Sequence, residues 1–323
     1  MHTEIGIDIF KAARFLNVGN LVAIPTETVY GLAANALNND AVLKIYKVKK
    51  RPQFNPLILH VASLEKARSF IKHIPFKAQL VVGAFWPGPL TLLLEKNNNV
   101  SDLITAGSNK VAIRVPNHLL ALELLNQLDF PIAAPSANPS GYVSPTSATH
   151  VYENLHGKIP YILDGGNCAI GVESTILGWN DNDEPEIYRL GGITVEAIEK
   201  ILEQKVNIKQ HFIENPNSPG QLKSHYATHT PLHLGSIEEL LRRFRDAKVV
   251  LINFTTYNPD LAKENQFILS PAGSLDEAAK NLFSILRLAD GLKADVLLAE
   301  PLPNKGLGIA INDRLERAQF ILK

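Results

Sequence analysis

Four apolar runs in this chain each abut a polar loop containing Gly or Pro. LVAI (21–24) leads into PTETVYGL, LTLLLE (90–95) follows FWPGP, VAIRV (111–115) ends at Pro116, and PIAA (131–134) opens into PSANPSGYVSPT. Runs this short, bounded this way, form strands of a sheet that deliver their loops to one edge, where functional groups collect. Helical periodicity fills the intervals. Residues 40–49 put Ala41, Val42, Ile45 and Val48 on one face, with Asp40 as the predicted N-cap and Pro52 as the stop, and residues 117–128 and 194–204 carry similar patterns. From about 206 to 232 the periodicity lapses in a polar stretch punctuated by Pro and Gly, which reads as a linker. Beyond it, VVLINF (249–254) and ADVLLAE (294–300) read as buried parallel strands, with a helix of Leu275, Ala278, Leu282, Leu286 and Ala289 between them. Ser236 with Glu239, and Ser274 with Glu277, have capping-box spacing. The expectation is an α/β domain over 1–205, a linker over 206–232 and a second, smaller α/β domain over 233–323.

At 323 residues the chain exceeds what one compact core usually serves, in keeping with two domains. The 32 Lys and Arg balance 32 Asp and Glu, so a broad basic face for nucleic acid is not expected, while a local anion site remains compatible with neutrality. Cys168 is the sole cysteine, which rules out an internal disulfide and suits a reducing compartment. The opening MHTEIGIDIFKAARF has no apolar signal core and is expected to begin an amphipathic helix. With no run of 18 apolar residues, no membrane partner is expected and the predicted location is cytoplasmic.

Against this neutral background, KVKKR places Lys47, Lys49, Lys50 and Arg51 within five residues, ahead of Asn55 and His60. Cations at a helix C-terminus complement its dipole, and that alone accounts for them. The alternative singles out Lys49 and Arg51, two apart where the helix runs out, as a point charge and a bidentate fork for phosphate. The loop 135–150 holds Ser136, Asn138, Ser140, Ser144, Thr146 and Ser147, residues that either satisfy their own backbone or let a ligand approach closely. Glu173, Ser174 and Thr175 precede another apolar run, and Thr26 and Thr28 flank Glu27. Arg114 lies inside an apolar strand, where an unpaired guanidinium is costly, so it is expected to meet an anion; Arg189 in YRLGG is similar. His225, His229 and His233 have the spacing of metal ligands, but Pro231 breaks the helix they would need, and no metal site on the protein is predicted. Phosphate-loop, dinucleotide-fold, zinc-protease and serine-hydrolase signatures are all missing.

In order along the chain, PTETVYGL, KVKKRPQFNPLILHV, FWPGPLTLLL, VAIRVP, APSANPSGYVSPT, DGGNCAIGVESTIL and SPGQLKSHY resemble the YrdC/Sua5 family of threonylcarbamoyl-AMP synthases in its two-domain Sua5 form. The resemblance implies a YrdC-like twisted, mostly parallel sheet followed by a small Rossmann-like α/β domain. It implies a nucleotidyltransferase that joins L-threonine, bicarbonate or CO2, and ATP carrying Mg2+ into threonylcarbamoyl-AMP, releasing pyrophosphate. The product is handed to a separate transferase that modifies position 37 of tRNAs. By the same resemblance Lys49, Arg51, Ser136 and Asn138 surround the reacting groups. Arg51, Asn55, Lys110, Ser136, Ser144, Arg189 and Tyr226 are implied at ATP, and Thr28, His60, Arg114, Ala134 and Ser174 at L-threonine, with His225 and Tyr226 in a linker that gates the cleft.

Such chemistry needs a neutral threonine amine to capture CO2 and a carbamate that attacks the α-phosphate in line. It needs positioning and charge stabilisation rather than a covalent protein nucleophile. Two competing classes stand beside it. One is the related carbamoyl transfer of hydrogenase maturation, whose proteins carry cysteine clusters that this chain lacks. The other is a non-catalytic RNA-binding or ribosome-assembly module; direct contact with tRNA is left open.

Overall fold

The computed structural model describes residues 2–180, 182–209 and 226–319, so that His225 and the SPGQLKSH part of the expected linker lie outside it. The chain divides into two compact units. The first comprises residues 2–140, 145–169 and 173–209; the second comprises Gly141–Ser144, Ile170–Val172 and residues 226–319.

In the first unit the strands are β1 (Glu4–Gly6), β2 (Val22–Ile24), β3 (Gly31–Asn35), β4 (Ile58–His60), β5 (Leu90–Glu95) and β6 (Lys110–Arg114), then β7 (Ile132–Ala133), β8 (Tyr161–Leu163), β9 (Thr175–Trp179), β10 (Pro185–Arg189) and β11 (Asn207–Ile208). They form one sheet in the order β1-β8-β2-β3-β7-β4-β6-β5-β9-β10-β11. Parallel pairs such as β4 with β6 and β5 with β9 sit beside antiparallel ones such as β5 with β6. The helices are α1 (Ile9–Asn17), α2 (Asn39–Lys49), α3 (Leu64–Arg68), α4 (Phe76–Phe85), α5 (Asp102–Thr105), α6 (Leu119–Asn126), α7 (Ala148–Leu155) and α8 (Val195–Leu202). This is the α/β class expected from the sequence.

Side chains alternate across the central strands as the two-residue period requires. Leu57 and Leu59, Leu92 and Leu94, and Val111 and Ile113 enter the main core with Val42 and Ile45 of α2, Val81 of α4 and Ile198 of α8. Their neighbours Ile58, Leu93 and Ala112 face the other way and join Ile176 and Tyr188 in a smaller apolar cluster. His60 and Arg114 therefore project from the same face as this cluster, opposite the main core, and they are register partners across β4 and β6.

In the second unit β12 (Leu232–Leu234), α9 (Ile237–Arg243), β13 (Val249–Asn253), β14 (Gln266–Ile268), α10 (Leu275–Gly291), β15 (Val296–Ala299) and α11 (Leu307–Ala318) follow in turn. The four strands make a parallel sheet in the order β12-β15-β13-β14.

Three local expectations are corrected. Residues 4–6 form an edge strand rather than the start of a helix, because β1 pairs in parallel with the distant β8. Helix α2 is capped by Asn38, whose side chain accepts from the Ala41 amide, with Asp40 inside the first turn. Ser274 accepts from the Glu277 amide as its spacing predicts, whereas Ser236 starts α9 without a side-chain capping bond. Of the histidine series, His225 lies outside the described residues, His229 bonds Asp290 at 2.9 Å, and the His233 ring lies 4.7 Å from that of Phe244.

Candidate functional site

The cation-rich segment separates by burial. Lys47 and Lys50 are exposed at the end of α2, as the dipole reading requires, while Lys49 and Arg51 are buried. The turn is made by Lys50 itself, which caps the helix at φ 53° and ψ 41°. That left-handed residue swings Arg51 off the helical path, and its guanidinium donates to the carbonyls of Asn55 (3.1 Å) and Pro56 (2.7 Å). Lys49 reaches the Ser-x-Asn loop, donating to the carbonyls of Ser136 and Asn138 at 2.5 Å each. In return the Ser140 amide donates to the Lys49 carbonyl at 2.8 Å. The loop thus meets Lys49 through its backbone.

Neither Lys49 nor Arg51 meets a carboxylate among the described residues. Burial, with the Arg51 charge next, holds the Lys49 ammonium well below its ordinary value. Burial is also the main cause that lowers Arg51 to about 10, with Arg189 adding to it. A third buried cation, Arg189, donates to the carbonyl (3.1 Å) and hydroxyl (3.0 Å) of Ser174, whose hydroxyl also bonds that of Thr91 at 2.7 Å. Gly191 permits this approach: a β-carbon there would stand 2.3 Å from the Glu173 carbonyl oxygen.

The second focus is Arg114. Its Nε donates to the Gly88 carbonyl (3.1 Å), one terminal nitrogen donates to the Thr28 hydroxyl (3.0 Å), and the other pairs with Glu27 Oε1 at 2.7 Å. The anion anticipated for Arg114 is thus supplied within the chain. Glu27 was not singled out for a role in the sequence; its only mark is a place between two threonines, of which Thr26 folds the turn by donating to the Val29 carbonyl. Thr91, within the LTLLLE strand, was likewise missed.

His60 lies on the same face. Burial, then the Arg114 charge, pushes its imidazole down to about 3, so it is neutral at pH 7. An unfolded histidine takes a proton near 6.5 while the folded one does not, so this group's contribution to stability is complete above about pH 6.5 and is lost as pH falls toward 3. Urea unfolding between pH 7 and 4 should show a loss of about 1.4 kcal/mol per pH unit from His60 below its unfolded value, and His60→Gln should flatten the slope by that amount.

The structure thus brings Thr28, Lys49, Arg51, His60, Arg114, Ser136, Asn138, Ser174 and Arg189 into one contact and charge network in the first unit. Ala134 joins it through its amide, which donates to the Ile58 carbonyl at 3.1 Å, and its side chain packs so near Gly31 that a β-carbon there would come within 3.2 Å. Asn55 is fully buried, and among the described residues neither polar atom of its side chain has a hydrogen-bond partner. Lys110 is set apart. It starts β6, about 13 Å along the strand from Arg114, and its ammonium donates to the Trp179 carbonyl at 2.6 Å beside a cavity of about 460 Å³. Ser144 and Tyr226 belong to the second unit. The Tyr226 ring is fully buried there, stacked on Phe283 with ring centroids 5.3 Å apart and the Arg314 guanidinium 5.4 Å over it.

Comparison with known proteins bears on this arrangement. A family model for the Sua5, YciO and YrdC proteins, described as Telomere recombination, matches residues 14–191. A second, described as Threonylcarbamoyl-AMP synthase, C-terminal domain, matches residues 193–319. The chain is 43% identical over 321 residues to the threonylcarbamoyl-AMP synthase of Pyrococcus abyssi, spanning 95% of this chain and 92% of that protein. It is 42% identical over 325 residues to the enzyme of the same name from Bacillus subtilis, with 96% and 92% covered. The crystal structure of P. abyssi Sua5 complexed with L-threonine superposes with a TM-score of 0.89 at 41% identity, covering 98% of this chain and 97% of that one. Matched in both halves and over nearly its full length, the chain belongs to the Sua5/YrdC family in its two-domain form.

Proposed function

We propose that the protein is an L-threonylcarbamoyladenylate synthase, a nucleotidyltransferase that forms threonylcarbamoyl-AMP and pyrophosphate from L-threonine, bicarbonate or CO2, and ATP. The observation that carries this reading is the pair Lys49 and Arg51: two buried cations, held by backbone carbonyls and lacking carboxylate partners among the described residues. Burying uncompensated positive charge is costly unless an anion is to be received. A triphosphate is such an anion, and it repays the desolvation already incurred. The side-chain amide of Asn55, near Arg51 and without a partner among the described residues, supports the same reading, since buried polar groups without partners are rare.

In this reading the carbamate oxygen formed on threonine's amine attacks the α-phosphorus in line, and the bond to the β-phosphate oxygen breaks as pyrophosphate leaves. Lys49 and Arg51 stabilise the charge that develops on the phosphates, and the chain from Ser136 to Asn138 fixes where Lys49 points. Arg189 and Ser144 are proposed at the nucleotide, with Lys110 as the remote contact. Tyr226, whose ring is stacked on Phe283, is proposed at the nucleotide as part of a linker that gates the cleft. Arg114, oriented by Glu27 and Thr28, receives the threonine carboxylate, with Ser174 and the Ala134 backbone beside it. The neutral His60 imidazole accepts a hydrogen bond from the substrate. Among the described residues no cluster of three His, Cys, Asp or Glu side chains could hold an ion, so the proposed Mg2+ would ride on the phosphates and help neutralise them. No helix of the described residues is long and apolar enough to cross a membrane. A cytoplasmic setting is proposed, with the product passed to the transferase that modifies tRNA position 37.

The test is pyrophosphate release from ATP by the purified protein with L-threonine and bicarbonate together, and with each alone. Release that requires both is the expected result. Release indifferent to threonine, or none with both present, would sink the proposal.

A further inference from the structure

Two short segments that precede the linker in the sequence pack in the second unit, and both rest on helix α10. Residues 141–144 continue the Ser-x-Asn loop, and their backbone is gripped point by point. The Ala227 amide donates to the Gly141 carbonyl at 2.8 Å. Arg287 donates to the Val143 carbonyl at 2.6 Å and approaches that of Ser144 at 3.5 Å, while its guanidinium lies 4.9 Å over the Tyr142 ring. The Tyr142 hydroxyl donates to Asp290 at 3.0 Å, and Asp290 is itself fixed by the amides of His229 (3.2 Å) and Thr230 (2.8 Å). Residues 170–172, which precede Glu173 and Ser174, lie directly on the helix: a β-carbon at Gly171 would stand 2.5 Å from Lys280 Cα.

Contacts to main-chain carbonyls fix where a loop runs, whatever its side chains are. Arg287 and Asp290 are one turn apart on α10, so the helix presents a donor fork and an acceptor on a single face. Both side chains are at least nine-tenths buried, which makes their geometry costly to alter. Resting on the function proposed above, we propose that Arg287 and Asp290 are positioning residues for the nucleotide: they hold residues 141–144 in the conformation that presents Ser144. Helix α10 then shapes the loop segment that carries Ser144.

The test is steady-state kinetics on the full chain with Arg287→Ala, Arg287→Lys, Tyr142→Phe and Asp290→Asn. The exposed helix neighbour Leu288→Ala serves as the control. Arg287→Ala should raise KM for ATP about tenfold or more, with KM for threonine within twofold of the original; Arg287→Lys should fall between. Tyr142→Phe removes one hydroxyl and leaves little scope for misfolding. It should raise KM for ATP several-fold, and combined with Asp290→Asn it should add little to either alone. Amide exchange in a peptide covering 139–146 should quicken in these variants and stay unchanged in Leu288→Ala. Unchanged KM for ATP in Arg287→Ala and Tyr142→Phe, or equal rises for ATP and threonine that track a lower Tm, would overturn the inference. If the unmodified protein releases no threonine-dependent pyrophosphate, the proposed function itself has failed; if it does and the variants match it, this inference alone has.

Discussion

Lys49→Met should reduce kcat/KM for pyrophosphate release by about 10²–10³-fold, the loss that follows removal of one preorganised charge stabiliser. Its thermal stability should change little, because two effects oppose each other. The Ser136 and Asn138 carbonyls lose their donor, at about 1–3 kcal/mol for each acceptor left dry. Against that, a desolvated ammonium without an ion-pair partner among the described residues is removed from the interior. Arg51→Lys should cost activity comparably, since a lysine cannot hold the Asn55 and Pro56 carbonyls and also present a planar fork. Kinetics paired with melting curves separate the outcomes. Lost activity at a preserved Tm supports a catalytic pair, whereas a large fall in Tm with proportionate activity would mean that the two cations serve the fold.

The ion pair of Glu27 with Arg114 should behave in the opposite way. Its side chains are 7% and 4% exposed, and taking away one partner leaves the other charged and buried. Glu27→Ala or Arg114→Met should therefore destabilise by about 3–5 kcal/mol, a drop in Tm of roughly 6–20 °C for a unit of this size. Replacing both, as in Glu27→Leu with Arg114→Met, should recover most of that stability without recovering threonine-dependent turnover. A double variant as unstable as the sum of the single ones would show that the two groups do not act on each other.

What could be read from the sequence follows what was local. The run LTLLLE is β5 to the residue, and the periodicity of 40–49 marks α2 to within one residue at its start. The cation cluster divides by burial in a way its spacing does not announce: Lys47 and Lys50 sit at the exposed helix end, and Lys49 and Arg51 turn inward. What could not be read depends on pairing across long separations. β1 is three residues that become a strand only because β8 is there to receive them. Glu27 acquires its meaning from Arg114, on a strand that nothing in PTETVYGL announces. The Ser236 spacing satisfied a local rule, yet the side-chain bond did not form. Lys110 shares a strand and a face with Arg114 and still lies a strand's length from the other cations, a separation that a list of residues conceals.

The two borrowed segments also bear on how such chains can be recombined. Because Gly141–Ser144 and Ile170–Val172 pack with residues from 226 onward, the boundary in space does not coincide with any single cut in the chain. A hybrid that joins the front of this protein to the back of a relative at the linker would set foreign helix residues against native segments at Tyr142, Val143 and Gly171. Exchange should succeed only when those seven residues travel with the C-terminal half, as a three-piece graft.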